Sequence, residues 1–186
     1  MPPTVKISKE DVVRAAVAVV QKEGAEALNA RTVAAVLGCS TQPIFSNFAT
    51  MDELQSAVVL HAYALCAEYI CQETERGEHP AYKSSGMAYI RFAKEERELF
   101  KLLYMRDRSD ETIPDSDPLN DRMEHLVQQN TGLSLEVVKL FHLEMWAYIH
   151  GIAAMYATQF MDLPWELVSR MLTDVYQGLR KQYGLE

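Results

Sequence analysis

Few side chains in this sequence stand at spacings that support covalent or metal chemistry. His142 and His150 are eight residues apart on what reads as one helix. That is about 12 Å at 1.5 Å per residue, too far for one metal ion to bridge. His61, His79 and His125 are scattered, and there is no HExxH, GxGxxG, Walker loop or Cys/His cluster. Cys39, Cys66 and Cys71 contain no CxxC pair, and an odd number completes no disulfide framework. They read as small apolar residues in a reducing compartment. The chain is therefore expected to have no catalytic residue, no metal and no cofactor. What remains is non-covalent recognition. Trp146 and His150, four apart, share a helical face. They can wall a pocket, with the imidazole offering a hydrogen bond, or form a core tryptophan above a satisfied histidine.

The elements that must carry these groups are helical. Apolar residues recur at helical spacing almost throughout, no β-branched alternation persists, and the 8 glycines and 7 prolines cluster at a few boundaries. The expected fold is all-α, with about nine helices. Ser8 caps a first helix, with Asp11 as its acidic partner, and Gly24 ends it. Asn29 caps a short second helix through Val33, Ala34 and Leu37; Gly38 turns the chain; Ser40 caps a third short helix, where Pro43 is tolerated in the first turn. Thr50-Met51-Asp52-Glu53 is a capping box that launches a long helix to about Arg76. Beyond the turn at Gly77–Pro80, helices are expected over about 81–104, 119–130, 134–160 and 163–183. Arg106 to Pro118 reads as an exposed acidic loop.

Composition sets further bounds. Hydrophobic residues make up 48%, which suits a folded core rather than disorder. No apolar run reaches the roughly eighteen residues of a membrane span, and no signal peptide is evident, so a cytoplasmic location without membrane contact is expected. The formal net charge is −8, yet residues 1–50 hold Lys6, Lys9, Arg14, Lys22 and Arg31 against Glu10, Asp11, Glu23 and Glu26, a balance of +1 that leaves −9 for the rest. The head is weakly basic and the body carries the acidity, which counts against strong nonspecific DNA binding.

Two short helices joined at a glycine and braced by a third form a helix-turn-helix. The string Val12-Val13-Arg14-Ala15-Ala16 to Gly24, Leu28-Asn29-Ala30-Arg31-Thr32-Val33-Ala34, Leu37-Gly38-Cys39-Ser40, Ile44-Phe45-Ser46-Asn47-Phe48 and Met51-Asp52-Glu53-Leu54 resembles the TetR family head in order and spacing, over about Lys6 to Val58. The resemblance implies a DNA-binding head at 1–50 and a ligand-binding, dimerising body at 51–186. It implies a recognition helix from Ser40 to Asn47, with Ser40, Thr41, Gln42, Pro43, Phe45, Ser46 and Asn47 at the DNA and Arg31 on a phosphate. Thr41, Gln42 and Ser46 would face base edges, and Gln42 can pair bidentately with adenine; the plainer alternative is that they are solvated first-turn residues. Two positions depart from the family, which usually has tyrosine at Phe45 and lysine at Met51, each on a phosphate. Operator affinity should therefore be lower and less salt-sensitive than in a typical member. Phe45 and Phe48 are expected in the core.

Met145-Trp146-Ala147-Tyr148-Ile149-His150-Gly151-Ile152 resembles a tryptophan–histidine–glycine signature of one TetR branch. By that resemblance the last two helices pair with those of a second copy in a four-helix bundle, filled by residues such as Leu140, Ile152, Met155, Leu167, Met171, Leu172 and Val175. Gly151, costly inside a helix, suggests a close neighbour. An effector pocket is expected among Phe92, Phe100, Tyr104, Phe141, Met145, Trp146 and His150, because aromatic and thioether side chains line adaptable sites; the same stripe also suits plain core. The implied function is a ligand-responsive homodimeric repressor of a near-palindromic double-stranded operator, with an apolar or aromatic small-molecule effector that changes the spacing of the heads. The alternative is a ligand-binding or protein-interaction module on the same scaffold whose operator binding is weak or lost.

Overall fold

The structure, a computed structural model, describes residues 7–107, 109 and 118–185. Among them are nine α-helices, one 3-10 turn and no strand: α1 Lys9–Glu23, a turn at Ala25–Ala27, α2 Ala30–Leu37, α3 Gln42–Asn47, α4 Met51–Arg76, α5 Ala81–Glu95, α6 Arg97–Tyr104, α7 Pro118–Thr131, α8 Leu135–Ala157 and α9 Trp165–Gln182. The all-α expectation agrees with this. The acidic segment expected as a loop between Arg106 and Pro118 lies for the most part outside the described residues.

The starts of α1, α2 and α4 follow from their caps. The Ser8 hydroxyl accepts from the Asp11 amide at 3.1 Å while the Asp11 carboxylate accepts from the Ser8 amide at 3.0 Å. Two first-turn donors without intrahelical partners are thereby satisfied. Thr50 accepts from the Glu53 amide at 3.1 Å, but Glu53 reaches one residue further back than expected, to the Ala49 amide at 2.9 Å. Along α4, Met51–Arg76 is long and apolar enough by average composition to cross a membrane, although it holds no unbroken apolar run of that length. His61 and Glu68 interrupt its apolar run without making the helix polar on average.

The chain divides into two compact units, one made of Met1–Leu65 with Glu96–Arg106, the other of Cys66–Glu95 with Asp107–Glu186. In the first unit α1 packs on α2, α3 and α6. Its core holds Val12, Ala16 and Val20 of α1, Val33 of α2, Ile44 and Phe48 at α3, Leu54 and Val58 of α4, and Leu99 and Phe100 of α6. Gln21 of α1 donates to Glu96 at 2.7 Å beside this contact.

In the second unit α5 is the central helix, packed on α7, α8 and α9. Nearly every residue from Ser84 to Ala93 is buried, and a helix covered on all sides needs that composition. A Cβ on Gly86 would lie 2.9 Å from Ile149 Cδ1 and 3.2 Å from Leu172 Cδ2, so glycine is what lets α8 and α9 approach. Within the single chain no described neighbour makes the close approach expected at Gly151, since a Cβ at that position meets nothing within 4 Å. Glu73, only 4% exposed, is held by Arg76 at 3.0 Å and Arg91 at 3.3 Å. The Arg91 guanidinium also lies over the Trp165 ring, which fixes it from α9.

Candidate functional site

In the first unit, α2 and α3 meet through Gly38, whose φ of +64° is the left-handed turn that a side chain would strain. Asn29 builds the start of α2: its Oδ1 accepts from the Arg31 and Thr32 amides, and Thr32 Oγ1 accepts from the Asn29 amide. This reciprocal box sets Arg31 in the first turn, exposed. Lys9 pairs with Glu53 at 3.3 Å, Arg14 with Asp11, and Lys22 with Glu23. Among the described residues of the first unit through Leu65, Arg31 is the one lysine or arginine without an acidic partner.

Ser40 does not cap α3. Thr41 holds the N-cap position in a helical conformation (φ −74°, ψ −13°) with no side-chain cap bond, so the helix begins one residue later than Ser40 would start it. Pro43 falls in the first turn, as expected. Ile44 and Phe48, four apart, are both fully buried and anchor α3 to its unit. Phe45, expected in the core, is 52% exposed, because the inner face is already filled by those two neighbours. Gln42 and Phe45, three apart, share the outer face with Ser46. The Ser46 hydroxyl donates to the Gln42 carbonyl at 2.9 Å, and the Asn47 amide donates to the carbonyls of Pro43 at 2.8 Å and Ile7 at 3.3 Å.

Two carboxylates of the first unit, Asp11 and Glu53, are held ionised by hydrogen bonds from neighbouring donors. The Ser8 amide, then the Ser8 hydroxyl and Arg14, hold Asp11 below the ordinary carboxylate range; the Ala49 amide and Lys9 do the same for Glu53.

In the second unit, Trp146 is 38% exposed and stacks on His150, with ring centroids 4.8 Å apart and planes 22° from parallel. It is thus neither a core tryptophan nor free of its histidine. His150 Nδ1 is 3.0 Å from the Tyr89 hydroxyl, and His142 Nδ1 is 2.9 Å from the Tyr82 hydroxyl. These two tyrosine–histidine rungs tie α5 to α8. They are absent from the expectations above, although tyrosines seven apart and histidines eight apart at helical spacing are a usable signal. His142 Nε2 is buried without a hydrogen-bond partner among the described residues.

Burial lowers the pKa of both histidines. The unfolded chain consequently binds more protons than the folded one as pH falls below the ordinary imidazole value of about 6.5. The stability from neutral His142 and His150 is fully present above that pH and is lost below it. Denaturant midpoints are expected to fall between about pH 7.5 and about pH 5.5, and His142→Gln should flatten that dependence. Asp11 and Glu53 act in a separate, more acidic window, since their pKa values are depressed from the carboxylate range.

The expected effector-pocket residues do not all fall in one unit. Phe100 is buried and Tyr104 half-buried in the first, their rings 5.1 Å apart. Phe92, Phe141 and Met145 are buried in the second, with Trp146 and His150 nearer its surface. Phe141 lies edge-on to Tyr176 at 5.6 Å and near Tyr183 at 5.7 Å. Two concavities of the second unit lie elsewhere: an open groove along Tyr148, Met171, Val175 and Gly178, and a polar one beside Glu73, Arg76 and Arg91. Of the residues expected to fill a bundle with a second copy, Ile152 and Leu172 are buried within the single chain, while Leu140 and Leu167 are exposed.

Among the described residues no three His, Cys, Asp or Glu side chains converge as a metal site. No curated protein matches the sequence. A TetR-like transcriptional regulator from Rhodococcus sp. RHA1 has a similar structure, with a TM-score of 0.71 at 17% identity over 99% of both chains. A TetR family member from Streptomyces coelicolor A3, SCO1917, is similar with a TM-score of 0.60 at 19% identity over 89% of this chain and 96% of that one. The multidrug binding protein EbrR, complexed with malachite green, gives 0.61 at 19% identity over the same shares. The family model described as "Tetracyclin repressor-like, C-terminal domain" matches residues 83–175, which is half of the sequence and spans most of α5 to α9. This chain therefore belongs to the TetR family of transcriptional regulators.

Proposed function

We propose that this protein is a cytoplasmic, ligand-responsive homodimeric repressor that binds a near-palindromic double-stranded operator through α3. The observation that carries the reading is the division of α3 into two faces. Ile44 and Phe48 are sunk in the first unit, while Gln42, Phe45 and Ser46 face outward on a short rod. Such a rod is what a helix-turn-helix offers a major groove. Arg31, exposed at the start of α2 with no acidic partner in the first unit, supplies a phosphate contact, and Thr41 completes the polar edge.

Dimerisation is supported by what α8 and α9 leave uncovered. Leu140, Leu143 and Leu167 are exposed, and so are Ala147, Gly151 and Gly178. A Cβ on either glycine would meet nothing within 4 Å. Leucines beside small residues on two adjacent helices suit a second copy of the same pair. The effector reading rests on the exposed Trp146–His150 stack and on the similarity to EbrR, a multidrug binding protein complexed with malachite green. An effector acts only if it binds the form that cannot engage the operator more tightly than the form that can.

The test is selection from genomic fragments at low salt by the wild-type chain and by a Gln42→Ala/Ser46→Ala variant. A sequence enriched only by the wild type supports the repressor, and equal recovery of all fragments by both proteins removes it. A second reading, a ligand-binding or protein-interaction module with weak operator binding, is favoured by one observation: Lys9, Arg14 and Lys22 are already paired with acids. On the same account Met51→Lys, at the first residue of α4, should restore a phosphate contact. The slope of log affinity against log salt should steepen by about 0.9 per added contact. An unchanged slope would show that position 51 does not face the backbone of DNA.

A further inference from the structure

The outer face of α3 carries an unusual pairing of an uncommitted amide with an apolar ring. The Gln42 side chain makes no hydrogen bond among the described residues, whereas the Ser46 proton and the Asn47 amide are spent on backbone carbonyls. Phe45, three residues from Gln42, is 52% exposed although the inner face of α3 is fully occupied by Ile44 and Phe48. A phenyl ring has no hydrogen-bonding group to offer a phosphate or a base edge. In the major groove the apolar feature that distinguishes one base from the others is the C5-methyl group of thymine.

We propose that Phe45 is a specificity-determining residue that reads a thymine methyl, so that each half-site carries a thymine close to the base read by Gln42. The inference rests on the operator-binding reading above and adds to it the chemistry of one contact. Residues three apart on a helix have Cβ atoms about 5–6 Å apart. Base pairs rise about 3.4 Å, so the thymine falls within about two base pairs of the base paired with Gln42. The exposed ring is then a reading group, and the tyrosine hydroxyl absent at this position costs the head backbone affinity without costing it this discrimination.

The experiment uses the full chain and duplexes taken from the fragments it enriches. Each thymine is replaced in turn by deoxyuridine, which keeps base pairing and removes only the methyl group. Affinities are measured for the wild type and for Phe45→Ala, whose substituted side chain is half-exposed and outside the core. One position per half-site is expected at which deoxyuridine weakens wild-type binding about fourfold, and about fifteenfold when both half-sites are changed, the worth of one and two buried methyl groups. The same duplexes should bind Phe45→Ala as well as its unmodified operator does. Full wild-type affinity for every deoxyuridine duplex, or an equal loss in Phe45→Ala, would overturn the proposal and leave operator binding standing. A failure to enrich any sequence would remove operator binding itself, and this contact with it.

Discussion

A Leu143→Glu variant is expected to keep its helical fold and to lose self-association. Leu143 is 57% exposed in the single chain, on the face of α8 opposite to Phe141, Met145 and Ile149, which are buried. A helix that is apolar on both faces is normally covered on both. Among the described residues of one chain nothing covers the outer face, with Leu140, Leu143, Ala147 and Gly151. If a second copy covers it across a two-fold axis, one substitution places two carboxylates in the interface. Burying an unpaired carboxylate costs about 2 kcal/mol or more, so two of them should weaken the dimer by roughly a thousandfold. Sedimentation should then report one subunit while the far-ultraviolet circular dichroism is unchanged. A variant that keeps the mass of the wild type would place the interface elsewhere.

Phe141→Ala is expected to lower stability by about 3–5 kcal/mol, the usual cost of deleting a fully buried ring. Phe141 is entirely inaccessible, and it is the side chain of α8 on which Tyr176 and Tyr183, at the two ends of the last turns of α9, both rest. Removing one of three packed aromatic rings leaves a cavity that small shifts of the two tyrosines do not close. For a chain of this length each kcal/mol moves the melting temperature by about 2–4 °C, so a fall of roughly 6–20 °C should be seen. The same change should weaken the dimer, because α8 and α9 would present their outer faces from a loosened pair. A loss below about 1 kcal/mol would mean that this aromatic cluster does not hold α9.

Several elements are legible in the amino-acid sequence because their signals are local. Ser8 with Asp11, Asn29 at the start of α2 and Thr50 with Glu53 each announce a helix through hydrogen bonds made within one turn. Ser40 fails as a cap for an equally local reason: Thr41 is already helical, and no sequence rule separates two adjacent hydroxyl residues. Facing is harder to read. Periodicity says that Phe45 is apolar, not that Ile44 and Phe48 fill the inner face of α3 and leave it outside. It also gives Ile152 and Leu172 the same standing as Leu140 and Leu167, although the first two are buried in the chain and the last two are exposed. Gly151 and Gly86 read alike as helical glycines, yet only Gly86 lies under side chains of two neighbouring helices. The tyrosine–histidine rungs join residues about sixty apart in sequence, so the helical spacing within each pair marks a shared face without saying which face it meets.

Nuclease protection of an enriched genomic fragment tests the central claim, a two-fold pair of α3 helices reading successive major grooves, most directly. Two protected half-sites centred about one helical turn apart are predicted for the wild type. Both should disappear together in Leu143→Glu at the same protein concentration. A single protected segment, or undiminished protection by that variant, would contradict the account.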